Sequence, residues 1–84
     1  MEPEAIMNQK IGAILAVERL LQRRSQADVV RGAHRVIDQS TLSLYEQGKV
    51  RHMHLHVLAC LAKSLHRPLT VLLEPYLHDE ESPE

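Results

Sequence analysis

Large aromatic side chains are almost missing from this sequence. It contains no Phe and no Trp, and its two Tyr residues, Tyr45 and Tyr76, stand far apart. Proteins that bind single-stranded nucleic acid stack bases on clustered aromatic side chains, so the composition argues against that class. Because Leu, Ile, Val and Ala supply the apolar content instead, it favours a small helical bundle over a β-sandwich.

Long apolar runs and paired cysteines are also lacking. No run reaches the roughly 18 apolar residues of a membrane span, and the start, MEPEAIMNQK, is acidic rather than a charged-then-apolar leader. We therefore expect a cytoplasmic protein that does not enter a membrane. Cys60 is the single cysteine and lies in an apolar helical pattern, so we expect an inert core thiol.

No excess of positive charge marks the chain as a whole, whose formal net charge is -1. The charges are nevertheless unevenly placed, because residues 10–73 hold all ten Lys and Arg residues. The same stretch has only four acids, which are Glu18, Asp28, Asp38 and Glu46. A basic body with acidic ends is compatible with a partner that carries phosphates.

Motifs for catalysis and for cofactors are lacking too. There is no glycine-rich phosphate loop and no paired-carboxylate motif, and 84 residues leave little room for a pocket. His52, His54 and His56 alternate, but no thiolate or nearby carboxylate completes a tetrahedral metal site. We expect no enzyme activity, no cofactor and no metal, and we expect these histidines to be exposed.

The spacing of apolar residues predicts five helices in one domain. The first helix covers about residues 5–24, and Ile11, Ile14 and Leu15 repeat along its core face. A second apolar stripe runs along the same helix and consists of Ile6, Ala13, Val17 and Leu20. This is more apolar surface than one buried face requires, so we expect another surface to cover the stripe.

Capping residues delimit the second and third helices. Ser25 is a typical N-cap residue with Asp28 three positions later, and a short second helix follows it. Asp38 is the predicted N-cap of the third helix, which ends at Gly48. We expect Leu42 and Tyr45, three residues apart, to point inward from this helix.

The remainder of the chain is predicted to contain two more helices. One runs from Leu55 to Leu65, and the other follows Pro68 and is stopped by Pro75. We divide the chain into an N-terminal extension of the first helix (1–9), a helical domain (10–76) and a disordered acidic tail (77–84).

Several short motifs occur in an order that is typical of one family. Ile11-Gly12, Leu15, Arg19 and Ser25-Gln26 precede the run TLSLYEQGK at residues 41–49, and LACLAKSLHRPLTVLLE follows at residues 58–74. This order and spacing resemble the XRE family of helix-turn-helix DNA-binding domains, the phage repressor and Cro type. The resemblance covers about residues 10–74 and implies an all-α, five-helix, lambda-repressor-like fold.

Three features depart from the family pattern. The stretch from Ser25 to Glu46 is about two residues longer than usual, so the turn at residues 31–37 is lengthened and Gly32 is not at the usual turn glycine. Arg24 stands where an apolar residue is common, and Met53 stands where proline is frequent. The resemblance therefore leaves the angle between the second and third helices open.

The resemblance also implies how the chain would contact double-stranded DNA. The third helix would enter the major groove, where its first residues reach base edges. The expected base contacts are Gln39, Ser40, Ser43 and Leu44. The expected phosphate contacts are Gln26, at the start of the second helix, and Gln47, Lys49 and Arg51 after the third. Arg19 and Glu46 would form a partly buried ion pair.

A single recognition helix reads only a few base pairs, so a homodimer on a palindromic site is expected. The predicted interface is the apolar C-terminal end together with the second stripe of the first helix. Its residues at that end are Leu69, Leu72, Leu73, Tyr76 and Leu77. The predicted function is a transcriptional regulator, in particular a repressor. The alternative is a protein-interaction module of the same fold, an antitoxin-like or antirepressor chain that binds a toxin or another regulator.

Overall fold

The computed structural model describes residues 2–77, which contain six helical segments and the turns between them. They are α1 (Pro3–Leu21), α2 (Gln26–Gly32), α3 (Gln39–Glu46), α4 (Leu55–Ser64), α5 (Leu69–Leu72) and α6 (Glu74–Leu77). No strand occurs among these residues, so the all-α class is confirmed. Residues 78–84 of the predicted acidic tail lie outside the described part.

One apolar core connects the first five helices. α1 contributes Ile11 and Leu15 and α3 contributes Leu42 and Tyr45, and each of these side chains is at most 2% exposed. The other core residues are Val29, Val30, Ala33, Val57, Leu58, Leu61, Ala62, Leu65 and Leu72. α1 packs against α3, α5 and α6, while α2 packs against α3 and α4. As a result, α3 is held between α1 and α2.

Two prolines differ from expectation. α1 begins at Pro3, before the predicted start, because the first turn of a helix does not need the N–H that proline lacks. Pro75 is likewise accepted in the first turn of α6, and it does not stop the preceding helix, which already ends at Leu72. The prediction of five helices is therefore wrong by one short segment. This segment includes Leu77, which was expected in the tail.

The first four helices end in the same way. The residue after each C-cap has a positive φ, and these residues are Arg23 (56°), His34 (56°), Gly48 (68°) and His66 (58°). The following N–H then donates to a carbonyl five positions back, as from Lys49 to Leu44 at 2.9 Å. This is the Schellman motif. Only Gly48 is free of the roughly 1 kcal/mol that a side chain costs in this conformation.

Two glycines set how closely α1 and α3 approach. A Cβ atom on Gly12 would lie 2.7 Å from the carbonyl oxygen of Glu46 and closer still to that of Tyr45. A Cβ atom on Gly48 would lie 2.6 Å from the Cα atom of Gln9. Both obstacles are backbone atoms, which cannot move aside as a flexible side chain does.

Gly12→Ala should therefore destabilise the fold, by about 2 to 3 kcal/mol, because the new methyl group must push α3 away from α1. Urea unfolding followed by circular dichroism measures the change. Helix propensity alone predicts the opposite sign, a gain of about 1 kcal/mol. A stabilised Gly12→Ala variant would show that the close approach of the two helices is not a constraint.

Candidate nucleic-acid interface

The first two turns of α3 carry the side chains predicted to contact bases. Gln39 and Ser40 are exposed, Ser43 is half-buried, and Leu44 is 43% exposed. On the opposite side of α3, Leu42 and Tyr45 are buried in the core, as predicted. Because that side is fixed, the four predicted base contacts point away from the core. α3 thus presents a short uncharged surface of amide and hydroxyl groups with one apolar side chain.

Gln26 adjoins this surface from α2. It lines an open depression of about 610 Å³ together with Asp38, Gln39, Ser40 and Ser43. The N-terminal ends of α2 and α3 therefore meet at one place on the molecule. Three of the four predicted base contacts lie there beside a predicted phosphate contact, although these residues are up to 17 positions apart in the sequence.

Capping hydrogen bonds fix the start of both helices. At α2, the Ser25 hydroxyl oxygen accepts from the Asp28 N–H (3.0 Å), and an Asp28 carboxylate oxygen accepts from the Ser25 N–H (2.9 Å). At α3, Asp38 Oδ1 accepts from the Thr41 N–H (2.8 Å). The hydrogen bonds from Ser25 lower the pKa of Asp28, and those from Thr41 lower the pKa of Asp38. Both predicted N-caps are present.

Glu46 joins three helices at the end of α3. Its carboxylate accepts from Arg19 Nε (2.7 Å) and Arg19 Nη2 (3.0 Å), so the pair is bidentate. Oε1 also accepts from Gln26 Nε2 at 3.0 Å. The Arg19 and Glu46 side chains are 15% and 8% exposed, and their hydrogen bond raises the pKa of Arg19. The structure therefore contains the ion pair that the resemblance implies. A hydrogen bond from Gln26 also connects Glu46 to α2.

The residues predicted to contact phosphates differ in whether other side chains already hold them. Lys49 and Arg51 are exposed, and neither takes part in an ion pair within the described residues. Gln47 is exposed, and its Nε2 donates to Ser43 Oγ at 2.9 Å. The Gln26 amide is held by Glu46, which leaves its carbonyl oxygen and one N–H for a ligand. This side chain is therefore oriented before any partner binds.

Asn8 is a positioning residue that the sequence analysis missed. It is 3% exposed, and its Nδ2 donates to the carbonyl oxygens of Val50 (3.2 Å) and Arg51 (3.4 Å). These hydrogen bonds attach the segment after α3 to α1. The available signal was spacing, because Asn8 lies three and seven residues before Ile11 and Leu15 and so continues their core face.

Arg24 replaces apolar packing with hydrogen bonds. Its guanidinium donates to the Ser64 carbonyl and, at 3.2 Å each, to Ser64 Oγ and the Asp28 carbonyl. A Cβ atom on Gly32 would lie 2.9 Å from Arg24 Nη2 and closer still to Ser64 Oγ. Gly32 therefore makes room for this contact between α2 and α4 and does not form the turn.

The lengthened turn comprises residues 33–38. His34 and Arg35 both have positive φ, at 56° and 55°, and the Arg35 N–H donates to a carbonyl oxygen of α2 at 2.9 Å. Val36 and Ile37 then pack partly against the core. The turn is thus anchored at both ends, and α2 and α3 remain in contact despite its length.

The predicted dimer surface is partly occupied by the core. Leu72 is completely buried, so its assignment to an interface is wrong, because α5 turns this side chain toward the other helices. Leu69 and Leu73 are half-buried, whereas Tyr76 and Leu77 are 51% and 57% exposed. The second stripe of α1 is exposed at Ile6, Ala13, Val17 and Leu20.

A cleft of about 570 Å³ separates α1 from α5 and α6. Val17, Val71 and Leu77 are among its apolar lining residues. Arg67 and Glu18 also line it and form an ion pair at 3.3 Å. Ala13 and Val17 of the second stripe thus share this cleft with Leu77 of the predicted interface.

Among the described residues, one of the alternating histidines contacts another potential metal ligand. His52 Nδ1 lies 2.9 Å from Glu4 Oε2 at an exposed position. Within residues 2–77, no three His, Cys, Asp or Glu side chains are close enough to hold a metal ion together. None of the helices in this range is long and apolar enough to span a membrane.

Comparison with known proteins adds no family to these observations. No protein-family model matches the chain, and no curated protein or solved structure matches it significantly. We therefore infer function from the residues and the geometry of the surface that α2 and α3 share.

Glu46→Gln should destabilise the protein by about 2 to 4 kcal/mol, because the neutral amide keeps the size of the side chain but leaves the Arg19 charge without a partner. Equilibrium urea unfolding measures the loss. Glu18→Gln is the matched control. Its partner Arg67 is 47% exposed, so the same change there should cost less than about 1 kcal/mol. Equal losses in the two variants would contradict a special role for Glu46.

Acid should weaken the caps of α2 and α3. Because the pKa values of Asp28 and Asp38 are lowered in the folded protein, their contribution to stability is complete above the ordinary value of 3.8 and is lost as the pH falls below it. Asp28→Asn/Asp38→Asn keeps a capping oxygen at both positions without a titrating group. Unfolding at a series of pH values should show a smaller acid loss in this double variant. An unchanged acid profile would show that other carboxylates dominate.

Proposed function

We propose that this chain is a helix-turn-helix protein of the XRE type that binds double-stranded DNA sequence-specifically and represses transcription as a homodimer. The observation that supports the proposal most is the shared surface of α2 and α3. There, uncharged hydrogen-bonding side chains at the start of α3 lie beside Gln26 of α2, and Glu46 ties the two helices to α1. In this proposal α3 is the recognition helix.

The chemistry of α3 suits the major groove, which admits one α-helix and presents a distinct pattern for each base pair. Gln39 can pair bidentately with adenine N6 and N7, and Ser40 and Ser43 can bond to several bases. Leu44, the exposed apolar side chain, can pack on a thymine methyl group. Each good bidentate contact contributes about 1 to 3 kcal/mol of discrimination.

Phosphates on either side of the groove would fix the position of α3. Gln26 is already oriented by Glu46, so little side-chain freedom is lost when it binds. Lys49 and Arg51 supply positive charge that no ion pair within residues 2–77 neutralises, on a segment that Asn8 attaches to α1. Each phosphate neutralised in this way releases counterions and makes the affinity depend on salt.

A homodimer would place two α3 helices about 34 to 36 Å apart, one turn of DNA. The exposed apolar side chains of Tyr76 and Leu77 and the second stripe of α1 give a second copy an apolar surface to cover. A bound dimer of this kind represses by occupying its site.

The same apolar surface also favours a second candidate function, a module that binds another protein such as a toxin or a regulator. Exposed apolar patches often mark protein interfaces, and Leu20 of the second stripe and its neighbour Leu21 are 61% and 74% exposed. Salt separates the two functions, because only DNA binding weakens steeply and log-linearly with salt concentration.

Gln39→Ala tests the proposed recognition helix. Duplexes selected from a random library by the unchanged protein should share a motif, and the variant should lose the preference at an adenine position while keeping its nonspecific affinity. Gln47→Ala is the matched control. It removes the same side chain from the end of α3 and should weaken binding to all sequences alike.

Two results would count against the proposal. If the unchanged protein binds no duplex even at low salt, the protein-interaction function replaces DNA binding. If the protein selects a motif that Gln39→Ala leaves unaltered, α3 does not read the bases as proposed.

A further inference from the structure

We infer that Asp38 selects a cytosine at one position of each DNA half-site, by accepting a hydrogen bond from the cytosine N4 amino group. The inference rests on the proposed function, because it assigns one more base contact to the α2 and α3 surface. It concerns a residue that the sequence analysis used only as a helix cap.

Asp38 stands among the predicted DNA contacts. It is exposed and lines the same depression as Gln26, Gln39, Ser40 and Ser43. A duplex that contacts Gln39 at this depression would therefore come close to the Asp38 carboxylate.

Capping occupies only one of the two carboxylate oxygens. Oδ1 accepts from the Thr41 N–H (2.8 Å) and from the Ser40 hydroxyl (3.1 Å). Within residues 2–77, Oδ2 accepts no hydrogen bond, and Asp38 belongs to no ion pair. Arg31 and Arg35 line the adjoining depression with Asp38, but the ion pair of Arg31 is with Asp28.

A free carboxylate at this position is unfavourable beside DNA unless a base satisfies it. Duplex DNA carries about one negative charge per 1.7 Å of its axis, which repels the carboxylate. Burying the group in the interface also removes water from Oδ2, and that loss must be offset by a hydrogen-bond donor. An exposed aspartate is ionised at neutral pH, and the hydrogen bonds from Thr41 lower the pKa of Asp38 further, so the carboxylate can only accept.

The bases differ in what they offer to an acceptor. In the major groove, cytosine presents the N4 amino donor, guanine presents the acceptors O6 and N7, and thymine presents the acceptor O4. Adenine presents a donor next to the acceptor N7, which repels a carboxylate. Cytosine is therefore the base that Asp38 favours most.

The test compares the motifs that three proteins select from a random duplex library. The unchanged protein should enrich cytosine at one position of each half-site. Asp38→Asn keeps an oxygen for the helix cap but adds a donor, so its discrimination at that position should fall roughly 5- to 150-fold. Asp28→Asn is the matched control. It makes the same change in charge at the α2 cap, where Ser25 and Arg31 occupy the carboxylate, and should leave the cytosine preference intact.

The outcomes separate the inference from the proposed function. The inference is supported if Asp38→Asn loses the cytosine preference, Asp28→Asn keeps it, and the two variants unfold at the same temperature. Two results overturn the inference and leave DNA binding in place. One is a selected motif without a cytosine position. The other is that Asp38→Asn selects the same motif as the unchanged protein and binds all sequences more tightly. If the unchanged protein selects no motif at all, the proposed function and the inference are both overturned.

Discussion

The arrangement of α1, α2 and α3 depends on the carboxylate of Glu46. It receives two hydrogen bonds from Arg19 and one from Gln26, at a position where the Glu46 side chain is only 8% exposed. A charge so far removed from water is tolerated only because donors surround it. Since those donors come from two other helices, the rotation of α3 about its axis is fixed relative to both. The same interaction therefore fixes how α3 packs against α1 and α2 and which side of α3, with Gln39 and Ser40, faces outward.

Other contacts determine how closely these helices approach one another. Gly12 and Gly48 let α1 lie against the end of α3, and Asn8 fixes the segment that follows α3. On the other side, the hydrogen bonds from Arg24 to Ser64 connect the start of α2 to α4. The α2 and α3 surface is thus supported by packed helices, as the proposed recognition of bases would require. The cleft between α1, α5 and α6 lies outside this framework.

Local patterns predicted the features that local chemistry determines. Ser25 and Asp38 were recognisable as caps, and Leu42 and Tyr45 as inward-facing, because caps and helical spacing involve neighbours in the sequence. Contacts between distant residues were harder to predict. Nothing near Asn8, Gly32 or Arg24 in the sequence indicates Val50 or Ser64 as a partner, and the burial of Leu72 depends on how a one-turn helix packs. The Arg19–Glu46 pair came from the resemblance rather than from spacing.

In the proposed function, the joint surface of α2 and α3 binds double-stranded DNA. The most direct measurement is the change in backbone amide chemical shifts during titration with a duplex at low and at moderate salt. We expect the largest changes at Gln26, at residues 38–44 and at residues 47–51, and we expect all of them to become smaller as the salt concentration increases. Shifts that are absent, or that are confined to the cleft between α1 and α6, would contradict it.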